Sequence, residues 1–304
     1  MTAVPTPLEQ APPSLAGGRP LFLKREDVHE LGAFKWRGSL PVVTAYRQAG
    51  AEAVVTASTG NHGAATAWAA ARLGLRALVY APEGATRTKL ALVEQLGAEV
   101  RLTGADLDDA KEQGKAYATE HDLPFFEDGA EQAQYEGYGA IADELLAQLG
   151  APPAAVVVPV GNGALLGGIG LRTCARAPET LRVGVAAKEA PVMAESWRAG
   201  QVVESDRSAT FADGLAVRVA IPLAVDVLGE VASRMLLVSE RAIAEAVAAY
   251  ARAGIRVEGA AGAALAALPQ LEDVDGVIVL VVTGRNIDDD LHARACEQAQ
   301  MFSD

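Results

Sequence analysis

The sequence predicts an α/β fold with two lobes, each built on a parallel-type sheet flanked by helices. Short apolar runs rich in Val and Ala alternate with longer Ala- and Leu-rich segments of helical period. Half of the 304 residues are hydrophobic and 21% are charged, which is typical of a chain that buries a large core. Strands that alternate with helices form crossover units, and such units build parallel sheets covered by helices.

The first three repeats of this pattern fill a segment that we assign to a small domain, residues 52–131. Its strands are predicted at residues 53–57, 77–80 and 100–102. The helices that follow these strands are predicted at residues 63–73, about 87–96 and 106–120.

The rest of the chain, residues 1–51 plus 132–304, is assigned to a large domain into which the small one is inserted. A helix is predicted at residues 138–149, and Ser239 is predicted to cap another that ends at residue 253. Further strands are predicted at residues 155–160, 181–185, 235–238 and 276–282. Because ligands commonly bind between domains, we expect the active site in the cleft between the lobes.

The composition argues against several classes of partner. A formal net charge of −13 disfavours nucleic acid and anionic membranes, which attract basic surfaces. Cys174 and Cys296 lie far apart, without a second Cys or His at metal spacing, so no disulfide framework is expected. The N-terminus does not resemble a signal peptide, and no apolar stretch is long enough to span a bilayer. These features predict a cytoplasmic protein.

Four loops carry residues suited to chemistry, and the first is GAFKWRG at residues 32–38. Lys35 stands between Phe34 and Trp36, where its amine can be partly removed from water. Desolvation favours the uncharged amine, which reacts with aldehydes. Taken alone, this pattern is more typical of a surface lysine at the start of a helix.

The second loop is STGNHG, residues 58–63, between a predicted strand and a predicted helix. Its hydroxyl groups, its amide side chain and the N–H groups of the helix N-terminus suit a carboxylate or another anion. A well-capped turn without a ligand explains the same residues equally well. His62 is a candidate base, although support of the loop is the simpler role.

The third loop is PVGNGALLGG, residues 159–168, again between a strand and a helix. Glycines let the backbone approach a phosphate and turn its amides inward. The loop is neither a P-loop nor a GxGxxG dinucleotide motif. Tight helix packing is the alternative explanation for its glycines.

The fourth loop, VVTGRNIDD at residues 281–289, follows the last predicted strand. The hydroxyl of Thr283 can hydrogen-bond a neutral ring nitrogen, whereas an aspartate there would hold a protonated one. A helix N-cap accounts for the same residues without any ligand.

Together, the order and spacing of these loops resemble the β-family of pyridoxal-phosphate enzymes, the tryptophan-synthase-β-like or fold type II family. The resemblance covers nearly the whole chain and is closest to the serine/threonine dehydratase and serine racemase branch. In that branch the lysine lies in G-[AS]-F-K-x-R-G and the carboxylate loop is S-x-G-N-H. The phosphate loop is usually GGGGL, where this chain has GNGAL. FADGLA at residues 211–216 and TGRN at residues 283–286 match two further family motifs.

The resemblance implies pyridoxal 5'-phosphate as the cofactor, with Lys35 as its covalent anchor and as the base that removes the substrate α-proton. Phe34 would pack near the cofactor ring, Asn61 would bind the phenolic oxygen, and Thr283 would bind the ring nitrogen. The remaining cofactor contacts would come from the phosphate loop and from a neighbouring glycine: Gly161, Asn162, Gly163, Ala164, Leu165 and Gly214. The substrate carboxylate would bind four residues of the second loop: Ser58, Thr59, Asn61 and His62.

The implied reaction is β-elimination, in which serine, threonine or a related β-hydroxy amino acid yields a 2-oxo acid and ammonia. Thr59 replaces the serine that racemases use on the opposite face, which argues against racemization. Ala187 stands nearest the position of the glutamate that binds a divalent cation in racemase-type members, so we predict no metal site. The resemblance also implies a homodimer, and no regulatory domain is expected after the last motif.

Several alternatives stay open from the sequence. A threonine synthase shares STGN and GNG, but synthases tend to carry Asp directly after the lysine, where Trp36 stands. A β-replacement enzyme is disfavoured for the same reason. A nicotinamide-dependent oxidoreductase is disfavoured because this chain lacks the glycine motif of that class and the acidic residue that follows it. A catalytically silent cofactor-binding protein is the last alternative, and the substrate side chain is not fixed.

Overall fold

The computed structural model describes residues 4–85, 87–205 and 208–304. In chain order the strands are β1 (Leu8–Gln10), β2 (Leu21–Arg25), β3 (Ala53–Ala57), β4 (Arg76–Ala81), β5 (Glu99–Leu102), β6 (Ala155–Pro159), β7 (Leu181–Ala187), β8 (Arg234–Val238) and β9 (Ile278–Val282). The first six helices are α1 (Pro13–Ala16), α2 (Trp36–Gln48), α3 (Asn61–Leu73), α4 (Arg87–Gln95), α5 (Leu107–Glu120) and α6 (Gln132–Leu149). The later helices are α7 (Ala164–Arg176), α8 (Val192–Ala199), α9 (Pro222–Val231), α10 (Glu240–Arg252), α11 (Gly259–Ala266) and α12 (Asp289–Glu297).

The chain forms two compact units. One comprises the described part of residues 1–33 and 138–304, and the other comprises the described part of residues 34–137. Each unit contains a sheet whose strands are joined through helices, so the predicted α/β class is confirmed. Among the helices that the structure describes, none combines the length and the apolar character needed to cross a bilayer.

The unit of residues 1–33 and 138–304 contains a six-stranded sheet in the order β1-β2-β9-β6-β7-β8. Its neighbouring strands are parallel except for β1, which pairs antiparallel with β2 at one edge. Every residue of the apolar runs in β6 and β9 is buried. Helices α7 and α11 pack against this sheet. Continuous apolar runs are expected for central parallel strands, because helices cover both of their faces.

The unit of residues 34–137 contains the parallel sheet β3-β4-β5. The chain after α5 then returns alongside β3, where Val55 and Phe125 form a parallel bridge. The Phe126 N–H donates to the Val55 carbonyl at 2.7 Å, and the Val55 N–H donates to the Pro124 carbonyl at 3.0 Å. This pairing, which was not predicted, delivers the residues after Phe126 to the carboxyl edge of the sheet, where the STGNHG loop also begins.

Most predicted elements occur within a few residues of their expected ends. The strand at 53–57 is confirmed, and so is the Ser239 cap, since the Ser239 hydroxyl accepts from the Ala242 N–H at 3.2 Å. Helix α6 begins at Gln132, six residues before the predicted start. The compact unit of residues 34–137 is also wider than the 52–131 segment assigned to the small domain. The reason is packing, since α2 lies against α3 and a Cβ at Gly137 would lie 2.0 Å from the Arg37 carbonyl oxygen.

Candidate active site

Lys35 lies at the N-terminal end of α2, directly before the first helical residue. Only 16% of its side chain is exposed, and Nζ lies 5.1 Å from the centroid of the Phe34 ring. Trp36 is buried and stacks under the Arg37 guanidinium at 4.6 Å from the ring centroid. The Lys35 amine is therefore largely shielded from water, with the Phe34 ring as one of its neighbours.

The first glycine of the same motif is required by a close contact. Gly32 has φ +66°, and a Cβ there would lie 2.3 Å from Asn286 Oδ1. The Asn286 amide donates to the Leu31 carbonyl at 2.8 Å, and the Arg285 N–H donates to the Gly32 carbonyl at 2.9 Å. The residues that begin GAFKWRG and the residues that end TGRN are thus bound to each other.

Asp128 is the direct partner of the Lys35 amine. Nζ donates to Asp128 Oδ2 at 2.5 Å. The other carboxylate oxygen, Oδ1, accepts from Gln134 Nε2 at 2.6 Å, and Gln134 Oε1 accepts from the Gly129 N–H at 2.7 Å. Gln134 is fully buried, so its hydrogen bond to Oδ1 fixes the orientation of the Asp128 carboxylate.

His62 lies in the first turn of α3 and is buried. The Thr56 hydroxyl donates to the Phe126 carbonyl at 2.8 Å, so its oxygen is left to accept from His62 Nε2, 3.0 Å away. This arrangement assigns the ring proton to Nε2. Nδ1 then faces Asp128 Oδ1 at 3.7 Å and has no hydrogen-bond partner among the described residues.

The protonation of His62 follows from its surroundings. Burial lowers the pKa of the imidazole, and the Lys35 charge lowers it further, whereas the Asp128 carboxylate acts in the opposite direction without reversing the shift. The ring is therefore neutral near pH 7. It packs edge-on against Phe126, with ring centroids 4.5 Å apart, so it supports the loop as well as facing the carboxylate.

The STGNHG loop joins β3 to the N-terminus of α3. Its Ser58 hydroxyl accepts from the Gly60 N–H at 3.1 Å, and the Ser58 N–H donates to the Tyr80 carbonyl at 3.0 Å. A Cβ at Gly63 would approach the Ser58 Cβ to 3.2 Å, which explains the last glycine of the motif. Thr59 and Asn61 are half-buried at the start of α3, where helix N–H groups favour negative charge.

The predicted phosphate loop lies in the unit with the six-stranded sheet, at the start of α7. Gly163 has φ +92°, and a Cβ there would lie 2.8 Å from Leu228 Cδ1. A Cβ at Gly161 would lie 2.2 Å from the Gly214 carbonyl oxygen, so these two predicted cofactor residues are neighbours. The Asn162 side chain accepts from the Ala164 N–H at 3.1 Å, which gives Asn162 a capping role that the sequence did not predict. Ala164 and Leu165 are buried in the first turn of α7.

Thr283 directly follows β9 and is 3% exposed. Its hydroxyl oxygen is buried and has no hydrogen-bond partner among the described residues. Beside it, the Glu258 N–H donates to the Gly284 carbonyl at 3.0 Å, and a Cβ at Gly284 would lie 2.5 Å from Glu258 Oε1. A buried hydroxyl without a partner costs free energy, so the site fits a ligand that offers a hydrogen-bonding nitrogen.

The structure therefore brings Lys35 and His62 together around Asp128 in one unit, and Gly161 beside Gly214 in the other. Asp128 was missed from the sequence. The pairing of Phe125 with Val55 of β3 places this acid at the edge of the sheet where the STGNHG loop begins, and a pairing between such distant segments cannot be predicted from the local sequence. Among the residues that the structure describes, no group of three His, Cys, Asp or Glu side chains is arranged to hold a metal ion. The absence of a divalent-cation site, predicted from Ala187, stays a prediction.

Several known proteins are similar to this chain over most of its length. Residues 1–284 match the family described as pyridoxal-phosphate dependent enzyme. An L-threonine ammonia-lyase from Geobacter sulfurreducens is 34% identical over 276 residues, which cover 89% of this chain and 68% of that protein. The chain thus spans about two thirds of the length of this relative.

Two solved structures are similar over most of their length. The processed form of threonine deaminase isoform 2 from Solanum lycopersicum superposes with a TM-score of 0.91 at 28% identity, covering 97% of this chain and 88% of that one. Maize serine racemase superposes with a TM-score of 0.89 at 26% identity, covering 98% and 93% of the two chains. Both similarities extend through both compact units.

Proposed function

Because the chain belongs to the pyridoxal-phosphate-dependent enzyme family, in its serine/threonine dehydratase branch, we propose that it eliminates water from L-serine, L-threonine or a related β-hydroxy amino acid. The products are a 2-oxo acid and ammonia. The observation that carries this proposal is the shielded Lys35 amine, which lies in the family lysine motif with an acceptor at 2.5 Å. The L-threonine ammonia-lyase similar over 89% of the chain supports the choice of substrate class.

The residues that would hold pyridoxal phosphate are those of the family motifs. Lys35 supplies the amine, Phe34 an apolar wall and Asn61 an amide for the phenolic oxygen. The Thr283 hydroxyl suits the ring nitrogen because it is buried and unpaired among the described residues. The phosphate is assigned to the loop of Gly161, Asn162, Gly163, Ala164 and Leu165, with Gly214 beside it. When bound, the cofactor supplies an aldehyde carbon and a ring that withdraws electrons from the substrate α-carbon.

The substrate carboxylate is assigned to Ser58, Thr59, Asn61 and His62. Helix α3 begins at this loop, so its first N–H groups and the two hydroxyls provide a neutral set of donors. His62 contributes by packing and hydrogen bonding, because burial keeps its ring uncharged near pH 7. Lys35 Nζ is the base that removes the α-proton. A homodimer, which the family resemblance implies, and a cytoplasmic location, which the sequence features predict, complete the proposal.

The proposal is tested with purified protein and a panel of β-hydroxy amino acids, including L-serine, L-threonine and 3-hydroxyaspartate. We expect 2-oxo acid to form from at least one member, and borohydride reduction with peptide mapping to place the cofactor on Lys35. Chiral analysis of the remaining substrate detects racemization, and added thiol detects β-replacement. If cofactor is bound but no panel member is turned over, dehydratase function is refuted while the family assignment stands.

A further inference from the structure

We propose that Asp128 is a positioning residue for the reaction, one that holds the Lys35 amine in place and stabilises the proton that this amine acquires. The inference rests on the proposed function for the role of Lys35 as base. It rests on the structure for the partner, since Asp128 Oδ2 lies 2.5 Å from Nζ. The family motifs identified from the sequence do not include this residue.

Asp128 is built into the unit by contacts on both sides. The pairing of Phe125 and Phe126 with β3 brings the chain to the edge of the sheet. The buried Gln134 then clamps Oδ1 at 2.6 Å and is itself held by the Gly129 N–H. A carboxylate fixed in this way presents Oδ2 to Lys35 without the loss of side-chain freedom that weakens exposed ion pairs.

The charged and titratable groups around this pair favour an ionised Asp128. Burial raises the pKa of the Asp128 carboxyl, but the Lys35 ammonium and the hydrogen bonds from Lys35 and Gln134 outweigh burial, and the pKa ends well below its usual range. His62 faces Oδ1 at 3.7 Å as a neutral ring. Burial, followed by the charge of Asp128, raises the pKa of Tyr135, so the tyrosine stays protonated and donates to the Gly129 carbonyl at 2.8 Å.

The neighbouring acid does not compete for Lys35. The Glu127 carboxylate is bound by Lys115 at 2.8 Å and by Lys111, both from α5. Burial raises the pKa of Glu127, but these two lysines lower it by more, so Glu127 is ionised and already paired. Of two adjacent carboxylates, the structure gives only Asp128 to the catalytic amine. Glu127 therefore provides a matched control.

The pairing matters most at proton abstraction. The Cα–H bond of the substrate breaks, its electron pair stays on the α-carbon, and a new N–H bond forms on Lys35 Nζ. The amine gains a positive charge in this step, and a carboxylate at hydrogen-bond distance stabilises the developing charge. Because the pKa of Asp128 is low, the proton stays on nitrogen rather than passing to the carboxylate.

The first test measures the amine without any turnover. Cofactor-free protein is treated with trace acetic anhydride across a pH series, and peptide mapping compares Lys35 with Lys188, an exposed lysine of the other unit, as the internal reference. Removing an adjacent negative charge favours the uncharged amine, which is the form that reacts. We expect Lys35 to label about tenfold faster near pH 7.5 in Asp128→Asn, because Nζ loses the ion pair that it makes with the carboxylate in the wild type. Glu127→Gln should label Lys35 like the wild type.

The second test uses the substrate that the panel identifies. We expect Asp128→Asn to lower kcat by roughly 10- to 100-fold with KM within about threefold, and to raise the isotope effect with α-deuterated substrate. Asp128→Glu, which keeps the charge but displaces it, should lie between wild type and Asp128→Asn, and it also serves if the Asn variant folds poorly. Wild-type labelling and wild-type kcat in Asp128→Asn would overturn the inference. If the wild type turns over no substrate, the proposed function fails, and the labelling experiment still decides whether Asp128 controls the amine.

Discussion

The two compact units contribute different kinds of functional group. The unit of residues 34–137 contains groups that carry or exchange protons, with Asp128 next to both Lys35 and His62. The loops of the other unit offer mainly backbone amides, close-packed glycines and the Thr283 hydroxyl. Proton transfer needs ionisable side chains that can gain or lose a proton, whereas a bound phosphate needs converging N–H groups. Substitutions in the first unit should therefore change rates, and substitutions in the second should change cofactor affinity.

The largest effect is expected from Lys35→Ala. Loss of the amine removes both the covalent anchor and the base, so we expect activity to fall by roughly 10³-fold or more. The characteristic long-wavelength absorbance of the bound cofactor should disappear with it. Turnover assays and absorption spectra check both outcomes. The control is Lys115→Ala, which removes an amine paired with Glu127 in the same unit and should keep both activity and absorbance. An active Lys35→Ala protein would show that Lys35 is not the base.

A smaller effect, on cofactor affinity rather than on rate, is expected from Gly161→Ala. The new Cβ would lie 2.2 Å from the Gly214 carbonyl oxygen, so the backbone of one loop must move. We expect cofactor affinity to fall by about tenfold or more, with a loss of about 1–3 kcal/mol in the free energy of unfolding. Equilibrium dialysis and urea unfolding measure the two.

The control for this substitution is Gly229→Ala. A Cβ at Gly229, within α9, would meet nothing within 4 Å, so the change should be tolerated or slightly stabilising. Equal cofactor affinity in Gly161→Ala and Gly229→Ala would show that the predicted phosphate loop does not bind the phosphate.

Thr283→Val should separate binding from stability. The Thr283 hydroxyl is buried without a partner among the described residues, so its replacement by an isosteric methyl group removes a polar group that is unsatisfied in the cofactor-free chain. We expect cofactor-free protein to become more stable by about 1 kcal/mol, while cofactor affinity falls by about fivefold to tenfold. Thermal unfolding with and without pyridoxal phosphate measures both. Thr283→Ser, which keeps the hydroxyl, should leave affinity near the wild-type value.

The fold and the family motifs were predictable because they depend on local patterns. The apolar runs of β3, β6 and β9 and the glycines at positions 32, 161 and 163 each carry a signal within a few residues. Asp128 carries no such signal, because its partner is 93 positions away in the chain. Its placement depends on Phe125 pairing with Val55, a contact between distant segments that composition and periodicity do not encode.

The same limit applies to Asn162 and to the unit boundaries. From the sequence, Asn162 interrupts a glycine-rich loop, whereas in the structure its side chain caps the start of α7. The boundary at residues 52 and 131 follows the alternation of strands and helices. The unit of residues 34–137 is larger because α2 packs on α3. Which helices pack together cannot be predicted from the order of strands and helices alone.

The smallest expected effect concerns pH and His62. Burial lowers the pKa of the folded imidazole below its ordinary value near 6.5, so below that pH the unfolded chain binds a proton that the folded chain does not. Stability should therefore fall as the pH drops, by about 1 kcal/mol between pH 6.5 and 5.5 for this group. Urea unfolding of the wild type and of His62→Gln at both values isolates the contribution, because the variant lacks the titrating ring. A wild-type protein that loses no more stability than His62→Gln would show that the ring takes up a proton while folded, and His62 would then join Lys35 and Asp128 as a charged member of the cluster.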